Sequence, residues 1–457
     1  MLRHFPLLTL LLCALVLGFS SCGDDDEAPN VPYIGTIADN IADDPQFSTL
    51  AAALERTGLD DYLDVPTRRL TLFAPTNAAF EASGVDLASL SDAELKNILN
   101  YHIVTGTIIN SGDFSDGDSE ENSTNKTAPG NNAIPLLVNN NGGTITLNDE
   151  ATVTASEKGL VNGTIHTIDQ LLIPPTIVDR ATLDGRFTTL LQALEKVDLD
   201  DVLADTGSYT VFAPTDAAFT ALGIDPLSLS DTELRNLLLY HVLPKGVDAA
   251  GIPGGMSYHS TLNMTGPDTT ALSLMLTNAG DSVLVNAKSE IVVKNIFAAN
   301  GVIHAIDMVL APQTLVDFVM TSNMLDSLEQ AVMATGLVPT LQMAGPYTLF
   351  APTNGAFEAA SDTLVAISKD MDKLKSVLLY HVLSGNFTSD ELENDQKLDG
   401  LNGQKITVIV EKDKDDKELA PMLMTPDSTR INFVTTDIQA TNGVLHLIDQ
   451  VLLPKLD

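Results

Sequence analysis

The stretch "FAPTN" (residues 73–77) returns as "FAPTD" at 212–216 and as "FAPTN" at 350–354. A phrase spelled three times is either a catalytic set copied intact or scaffold needed wherever a fold recurs. Its surroundings help to decide. Tyr-His occurs at 101–102, 240–241 and 380–381, and "NGTIHTID" (162–169), "NGVIHAID" (300–307) and "NGVLHLID" (442–449) form a third set. The FAPT phrases are 139 residues apart (73 to 212) and then 138 (212 to 350); the Tyr-His pairs keep the same period, at 139 (101 to 240) and 140 (240 to 380). Three landmarks on one period make a triple tandem repeat, and the period suits a whole domain rather than a solenoid unit. Each repeat closes on proline, in "LLIPPT" (171–176), "VLAPQT" (309–314) and "VLLPKLD" (451–457). The linkers are therefore short, and the domains are expected to follow one another like beads with limited freedom.

Within a repeat, helices come first and strands after. "FSTLAAALERTG" and "FTTLLQALEKVD" carry helical apolar spacing, and "LTLF" and "YTVF" are short β-rich runs. Thr76, Thr215 and Thr353 stand where the following helix needs an N-cap. Read instead as nucleophiles, these hydroxyls lack a neighbouring histidine or lysine and a G-x-S-x-G elbow, so the cap is the better reading. In "SDAELKNILNYHIV", Ser91 and Glu94 form a capping box, and Ser230 with Glu233 repeats it. The third copy, with Asp370 and Lys373, keeps a cap without the box. His102 falls on the apolar stripe of Leu95, Ile98, Leu99 and Ile103, and His241 and His381 take the matching places, so these histidines read as core residues. The adjacent tyrosines point off the stripe and are expected to be partly exposed.

Strand-like runs follow: "TITLN" and "ATVTA", then "ALSLMLT", "SVLV" and "EIVV", then "KITVIVE". The Asn-Gly pairs at 162–163, 300–301 and 442–443 read as hairpin turns feeding a final strand that is apolar on both faces and so covered on both sides. His304 and Asp307 fall on opposite faces of that strand. They are expected to satisfy separate buried backbone groups rather than to share a metal.

The order FAPT-x-x-AF, Tyr-His, NG-x-[IL]-H-x-ID, three times over residues 33–457, resembles the fasciclin domain family. That resemblance implies an α+β fold, three tandem domains (33–174, 175–312 and 313–457), each a β-sandwich wedge flanked by several helices. It also implies use in cell adhesion and extracellular binding. In some animal members the Tyr-His dipeptide is tied to integrin binding, which carries over to Tyr101, His102, Tyr240, His241, Tyr380 and His381 as candidate binding residues.

The start of the chain, "MLRHFPLLTLLLCALVLGFSSC", has a basic residue, Arg3, and an apolar core (7–18) too short for a hydrocarbon interior of ~30 Å. It resembles a bacterial lipoprotein signal, residues 1–21, with Cys22 as lipid anchor. The acidic tether (22–32) behind it is similar to Bacteroidota lipoproteins exported to the outer cell surface. An ordinary secretory signal with an incidental cysteine is the alternative. The other cysteine, Cys13, lies inside the signal, which leaves nothing for a disulfide, a zinc site or a thiol nucleophile. Two acyl chains would hold the protein on an outer membrane. A formal charge of −37, from 24 basic and 61 acidic residues, argues against nucleic acid as a partner.

Phosphate cradles, H-E-x-x-H, paired cysteines and EF-hand spacing are absent from the sequence, so no cofactor and no enzymatic activity are expected. A catalytic set rarely needs copying into three adjacent domains, whereas core and cap residues must recur with the fold. Function is therefore expected where the repeats differ: "NSGDFSDGDSEENSTNKTAPGNN" (110–132), "GVDAAGIPGGMSYHS" (246–260) and "EKDKDDKELA" (411–420). In the first, Asp113, Asp116, Asp118, Glu120 and Glu121 are oxygen ligands of the kind calcium takes, but a solvated loop is the better reading and no metal is expected. The expected function is non-catalytic adhesion to an extracellular protein or glycan ligand, with avidity from linked modules. The alternative is a structural cell-envelope scaffold without an external ligand.

Overall fold

The computed structural model describes residues 35–157, 159–205, 207–414 and 419–456. Each FAPT phrase completes a strand, Leu70–Pro75, Tyr209–Pro214 or Tyr347–Pro352. The two-residue period of a strand sends Leu70, Leu72 and Ala74 into a core shared with helices and Phe73 into a second core on the other side of the sheet. The strand alongside carries the NG-x-[IL]-H phrase and runs parallel, in a register that sets Phe73 beside His166, Phe212 beside His304 and Phe350 beside His446. The paired rings lie 5.3, 5.7 and 5.8 Å apart. Two landmarks almost a domain apart in sequence are thus one structural unit. Every residue of Gly163–Ile168, Gly301–Ile306 and Gly443–Ile448 is buried, as a strand covered on both faces requires.

In the first domain these two strands sit within a seven-stranded sheet, in the order Ile103–Thr105, Leu70–Pro75, Gly163–Ile168, Ala151–Glu157, Thr144–Leu147, Pro135–Asn141, Gly117–Asn122. All other neighbours are antiparallel. The first and last strands meet at one corner, through a bridge between Val104 and Ser123 and a 2.8 Å bond from the Thr124 N–H to the Ile103 carbonyl. The expected wedge is therefore one sheet curled on itself, α+β in class, with helices packed on its outer side. The second and third domains repeat the same strand order.

The expected caps form. Thr76, Thr215 and Thr353 accept from the backbone N–H of Ala79, Ala218 and Ala356 at 3.2–3.3 Å. Ser91 and Ser230 close capping boxes with Glu94 and Glu233, and Asp370 accepts from the N–H groups of Asp372 and Lys373. The last residue of the phrase has a further role. Asn77, Asp216 and Asn354 reach across to the helix that precedes the strand, whose own N-cap positions, Phe47, Phe187 and Leu325, offer no side-chain acceptor. There they accept from the N–H groups of Thr49, Thr189 and Ser327 at 2.7–2.9 Å. Either amide or carboxylate oxygen serves, which is why the phrase ends in Asn or Asp.

The Asn-Gly pairs need a correction. In the second and third domains the hairpin's turn residues are Ala299-Asn300 and Thr441-Asn442, and the glycine already belongs to the outgoing strand, opposite Ala298 or Ala440. Glycine is required there by close approach: a Cβ would fall 2.1, 2.3 or 2.0 Å from the carbonyl oxygen of Leu70, Tyr209 or Tyr347. The asparagine is a clip rather than only a turn residue. Asn300 Oδ1 accepts from the Ile177 N–H at 2.9 Å while Nδ2 donates to the carbonyls of Leu203 and Asp205, and Asn162 and Asn442 make the corresponding bonds. It ties the hairpin to the start of the domain's first helix and the end of its third.

The domains do not hang like beads. At each joint the hairpin and first helix of one domain seat on the sheet edge of the domain before. Phe297 and Ala299 pack against the inner core of the first domain, the Ala299 N–H bonds the Pro175 carbonyl at 2.8 Å, and Asn132 donates to Asp248 at 2.8 Å. At the second joint the Gln439 N–H donates to Ser273 at 2.9 Å and the Thr441 N–H to the Gln313 carbonyl at 2.9 Å. Short proline-bearing linkers thus lead straight into an interface.

Candidate functional site

The three Tyr-His pairs end the helices Asp92–Tyr101, Asp231–Tyr240 and Met371–Tyr380. All six side chains are buried, which corrects the expected partial exposure of the tyrosines. The helix stops at the tyrosine, so its ring enters the curled sheet instead of following the helix surface. Tyr101 donates to the Pro135 carbonyl at 3.1 Å, Tyr240 to that of Ser273 at 2.9 Å and Tyr380 to that of Lys405 at 2.7 Å. Each histidine places Nδ1 2.8–2.9 Å from the carbonyl four residues back, that of Ile98, Leu237 or Val377. Its Nε2 accepts from the N–H of Leu172, Leu310 or Leu452 at 2.9–3.0 Å, in the segment that closes the domain. That pattern demands a neutral ring protonated at Nδ1. Burial pushes the pKa of all three histidines down to about 4. Both ring nitrogens are consumed internally, so these pairs offer a ligand nothing at the surface.

The second histidine set is equally occupied. His166, His304 and His446 set Nε2 against the carbonyls of Ile109, Val247 and Phe387 at 2.7–3.0 Å. Asp169, Asp307 and Asp449 accept from the N–H groups of Thr152, Glu290 and Asn432 at 2.7–2.8 Å, apart from the histidines as expected. The calcium candidates are spread along an ordered segment rather than gathered. Asp113 accepts from Asn110 at 2.8 Å, Asp118 accepts from Asn139 at 2.6 Å across the strand pair, and Glu120 faces the next domain. Gly117–Asn122 is an edge strand and not a loop, so alternation turns Glu121 away from Asp118 and Glu120. Asp116 is exposed. Among the described residues no group of three or more His, Cys, Asp or Glu side chains is placed to hold a metal ion. Cys22 lies outside the described residues, as do 415–418 of the segment that separates two strands in the third domain.

Where the repeats differ, the joints differ. The tyrosine hydroxyls fix the comparison, because Pro135 and Ser273 occupy the same place on equivalent strands. At the second joint Met256, Tyr258 and Met275 meet Phe318 and Ser322 of the third domain's first helix. Tyr258 packs edge-on to Phe318 at 6.0 Å, its hydroxyl lies 3.3 Å from that of Ser322, and Met275 is part of the third domain's core. At the first joint the same positions hold Asp118, Glu120 and Leu137, facing Arg180 and Asp184. Instead of a plug there is a cleft of about 260 Å³, lined by those residues with Ser119, Val138, Asn139, Asp149 and Leu183. The Arg180 side chain is 4% exposed, and its Nη2 donates to Glu120 at 3.0 Å. Its Nε and Nη1 are buried with no hydrogen-bond partner among the described residues. Asp184 is held by Arg186. Arg180, Asp184 and Asp149 were not singled out from the sequence. The available signal was positional, since Arg180 stands in the helix where the third repeat has Phe318.

Residues 45–174, 185–312 and 323–454 each match the family model described as the Fasciclin domain. The chain belongs to the fasciclin family. It is 29% identical to human periostin over 437 residues, 92% of this chain and 48% of that protein. It is also 29% identical to rabbit (Oryctolagus cuniculus) transforming growth factor-beta-induced protein ig-h3 over 357 residues, 75% of this chain and 48% of that one. This fasciclin chain thus spans about half the length of those two relatives. A cyanobacterial relative, protein sll1483 of Synechocystis, is 34% identical over 146 residues, 31% of this chain and 74% of that protein. Among solved structures, a FAS1 domain pair from the insect cell adhesion molecule Fasciclin I aligns at 18% identity and a TM-score of 0.38, covering 60% of this chain and 98% of that one.

Proposed function

We propose that this fasciclin array is a non-catalytic adhesion or binding protein of the cell surface, held on the outer membrane by lipid at Cys22. The observation that carries the reading is the internal use of the repeated polar groups. The histidines, tyrosines, asparagines and aspartates common to the repeats hold caps, clips and domain closures, and residues that differ between repeats line the cleft at the first joint. The family match over all three domains, shared with periostin and ig-h3, supports the adhesion-type use proposed for this chain. Among the described residues no helix is long and apolar enough to cross a membrane.

The test is a binding screen of purified residues 23–457 against matrix proteins, glycans and the protein itself, with and without calcium. Protease treatment of intact cells producing the full chain and its Cys22→Ala variant tests the attachment. Saturable binding, with surface cleavage that disappears in the variant, is the expected result. Folded protein that binds none of these would overturn adhesion and favour an envelope scaffold. Unchanged surface retention of the variant would overturn the lipid anchor.

A further inference from the structure

The cleft at the first joint contains a chemical mismatch that a particular class of ligand resolves. Arg180 is a donor only, and two of its nitrogens are unpartnered and buried. The wall around it is acceptor-rich, with the carboxylates of Asp118, Glu120, Asp149 and Asp184, and the Asn139 amide already donates to Asp118 at 2.6 Å. An anionic ligand would suit the guanidinium but meet four carboxylates, only one of which is covered by a second cation, Arg186. A metal or ammonium ion would suit the carboxylates and leave the Arg180 donors as they are. A neutral polyhydroxylated ligand does both: its oxygens accept from Arg180 and its O–H groups donate to the carboxylates. Leu137, Val138 and Leu183 supply an apolar wall for the C–H face of a ring.

Size agrees. The cleft's 260 Å³ lies just below the roughly 300–1,000 Å³ of sites for drug-sized ligands, and so suits one sugar-sized unit. Glu120 is 56% exposed, which leaves that wall open for the rest of a chain to leave through. The second joint provides the internal comparison. There the equivalent positions are occupied by Met256, Tyr258, Phe318 and Ser322 in mutual contact, so the fold does not need a cleft at this place. We propose that the cleft between the first and second domains binds a neutral saccharide unit, with Arg180 as donor and Asp118, Glu120 and Asp149 as acceptors. This deepens the binding reading above and rests on it.

The experiment uses residues 23–457 and three variants: Arg180→Phe, which installs the residue of the second joint, and Asp149→Asn and Glu120→Gln. Glucose, galactose, mannose and N-acetylglucosamine are titrated by ligand-observed NMR and calorimetry, with inorganic phosphate and calcium as comparisons. The same sugars immobilised at the end of a linker distinguish a free sugar from the terminus of a glycan. The expected result is saturable binding of at least one neutral sugar in either format. Arg180→Phe should abolish it with an unfolding midpoint at or above that of the parent, and the two carboxylate variants should weaken it tenfold or more while remaining folded at the titration temperature. Binding of no sugar, of phosphate or calcium alone, or of sugar equally well by all three variants, overturns the site. If the parent adheres to a surface partner and Arg180→Phe adheres equally without binding sugar, adhesion runs through another surface and the site is overturned as its route. If the parent adheres to nothing, the adhesion reading falls, and the sugar titration still decides the cleft.

Discussion

At the residue scale, His102, His241 and His381 link stability to pH. An unperturbed histidine titrates near 6.5, whereas these are pushed down to about 4. Between those values the unfolded chain binds more protons than the folded one. Stability is therefore fully present above about 6.5, falls as pH drops toward 4 and levels off below, by on the order of 3 kcal/mol per histidine. The carboxylates of Glu94 and Glu233, lowered by the bonds of their capping boxes, lose their share only at more acid pH. Urea midpoints measured from pH 7 to pH 4 should fall through this window, and His381→Gln should flatten the slope by about one proton's worth. A midpoint independent of pH there would mean that the rings are protonated in the folded state. Asp216 gives a second expectation. Burial opposes ionisation of its carboxyl, but bonds from the N–H groups of Thr189 and Thr188 hold its pKa low. Asp216→Ala should cost about 1 kcal/mol and Asp216→Asn almost nothing, because Asn77 and Asn354 already do this work in the other domains.

Among the elements, the final hairpin organises each domain. Its asparagine spans three partners, so Asn300→Ala leaves a buried N–H and two carbonyls without a bond and should cost about 3 kcal/mol. Calorimetry of the full chain should show one transition moving down while the others hold. Gly301→Ala should be at least as damaging, since the new Cβ meets the Tyr209 carbonyl oxygen, which lies in a strand that cannot move aside alone. The Tyr-His helix is placed by the same logic. Its C-terminal histidine receives a backbone N–H from the closing segment some seventy residues on, as in the bond between Leu310 and His241, so the last residues of a domain lock its middle.

For the whole molecule, two joints of one geometry carry opposite chemistry. Tyr258 against Phe318 is an apolar, well-filled contact, while Arg180 against Glu120 keeps a buried charge with one exposed partner. Replacing an incompletely paired buried charge by an apolar group is often neutral or stabilising, by about 1–4 kcal/mol. Arg180→Phe should accordingly hold or raise the unfolding midpoint, whereas Phe318→Ala should lower it by removing about 3–5 kcal/mol of packing. Limited proteolysis should then cut the Phe318→Ala chain near residues 312–314 sooner than the parent. A fall in midpoint with Arg180→Phe would make the arginine a stabilising element of the joint, with its cost already met by the fold.

The sequence by itself determined the threefold repeat, the α+β class, the helix caps and the burial of the histidines. These follow from local patterns: residue types at fixed spacing, a stripe on a helix, a Thr before a helix or a Ser–x–x–Glu at its start. It also showed that the recurring motifs are scaffold, because Thr76, His102 and Asp307 each matched a structural need. Only the tertiary structure decided what those residues touch at long range. That Phe73 lies beside His166 depends on a parallel register set by the crossover between them. That the tyrosines turn inward depends on where the helix ends over the curled sheet. That Asn300 clips two helices depends on a hairpin returning to the domain's start. The cleft at the first joint was the least legible feature, because it belongs to no repeat. It arises where Glu120 of one domain meets Arg180 of the next, sixty positions later, and no pattern within either domain encodes that meeting.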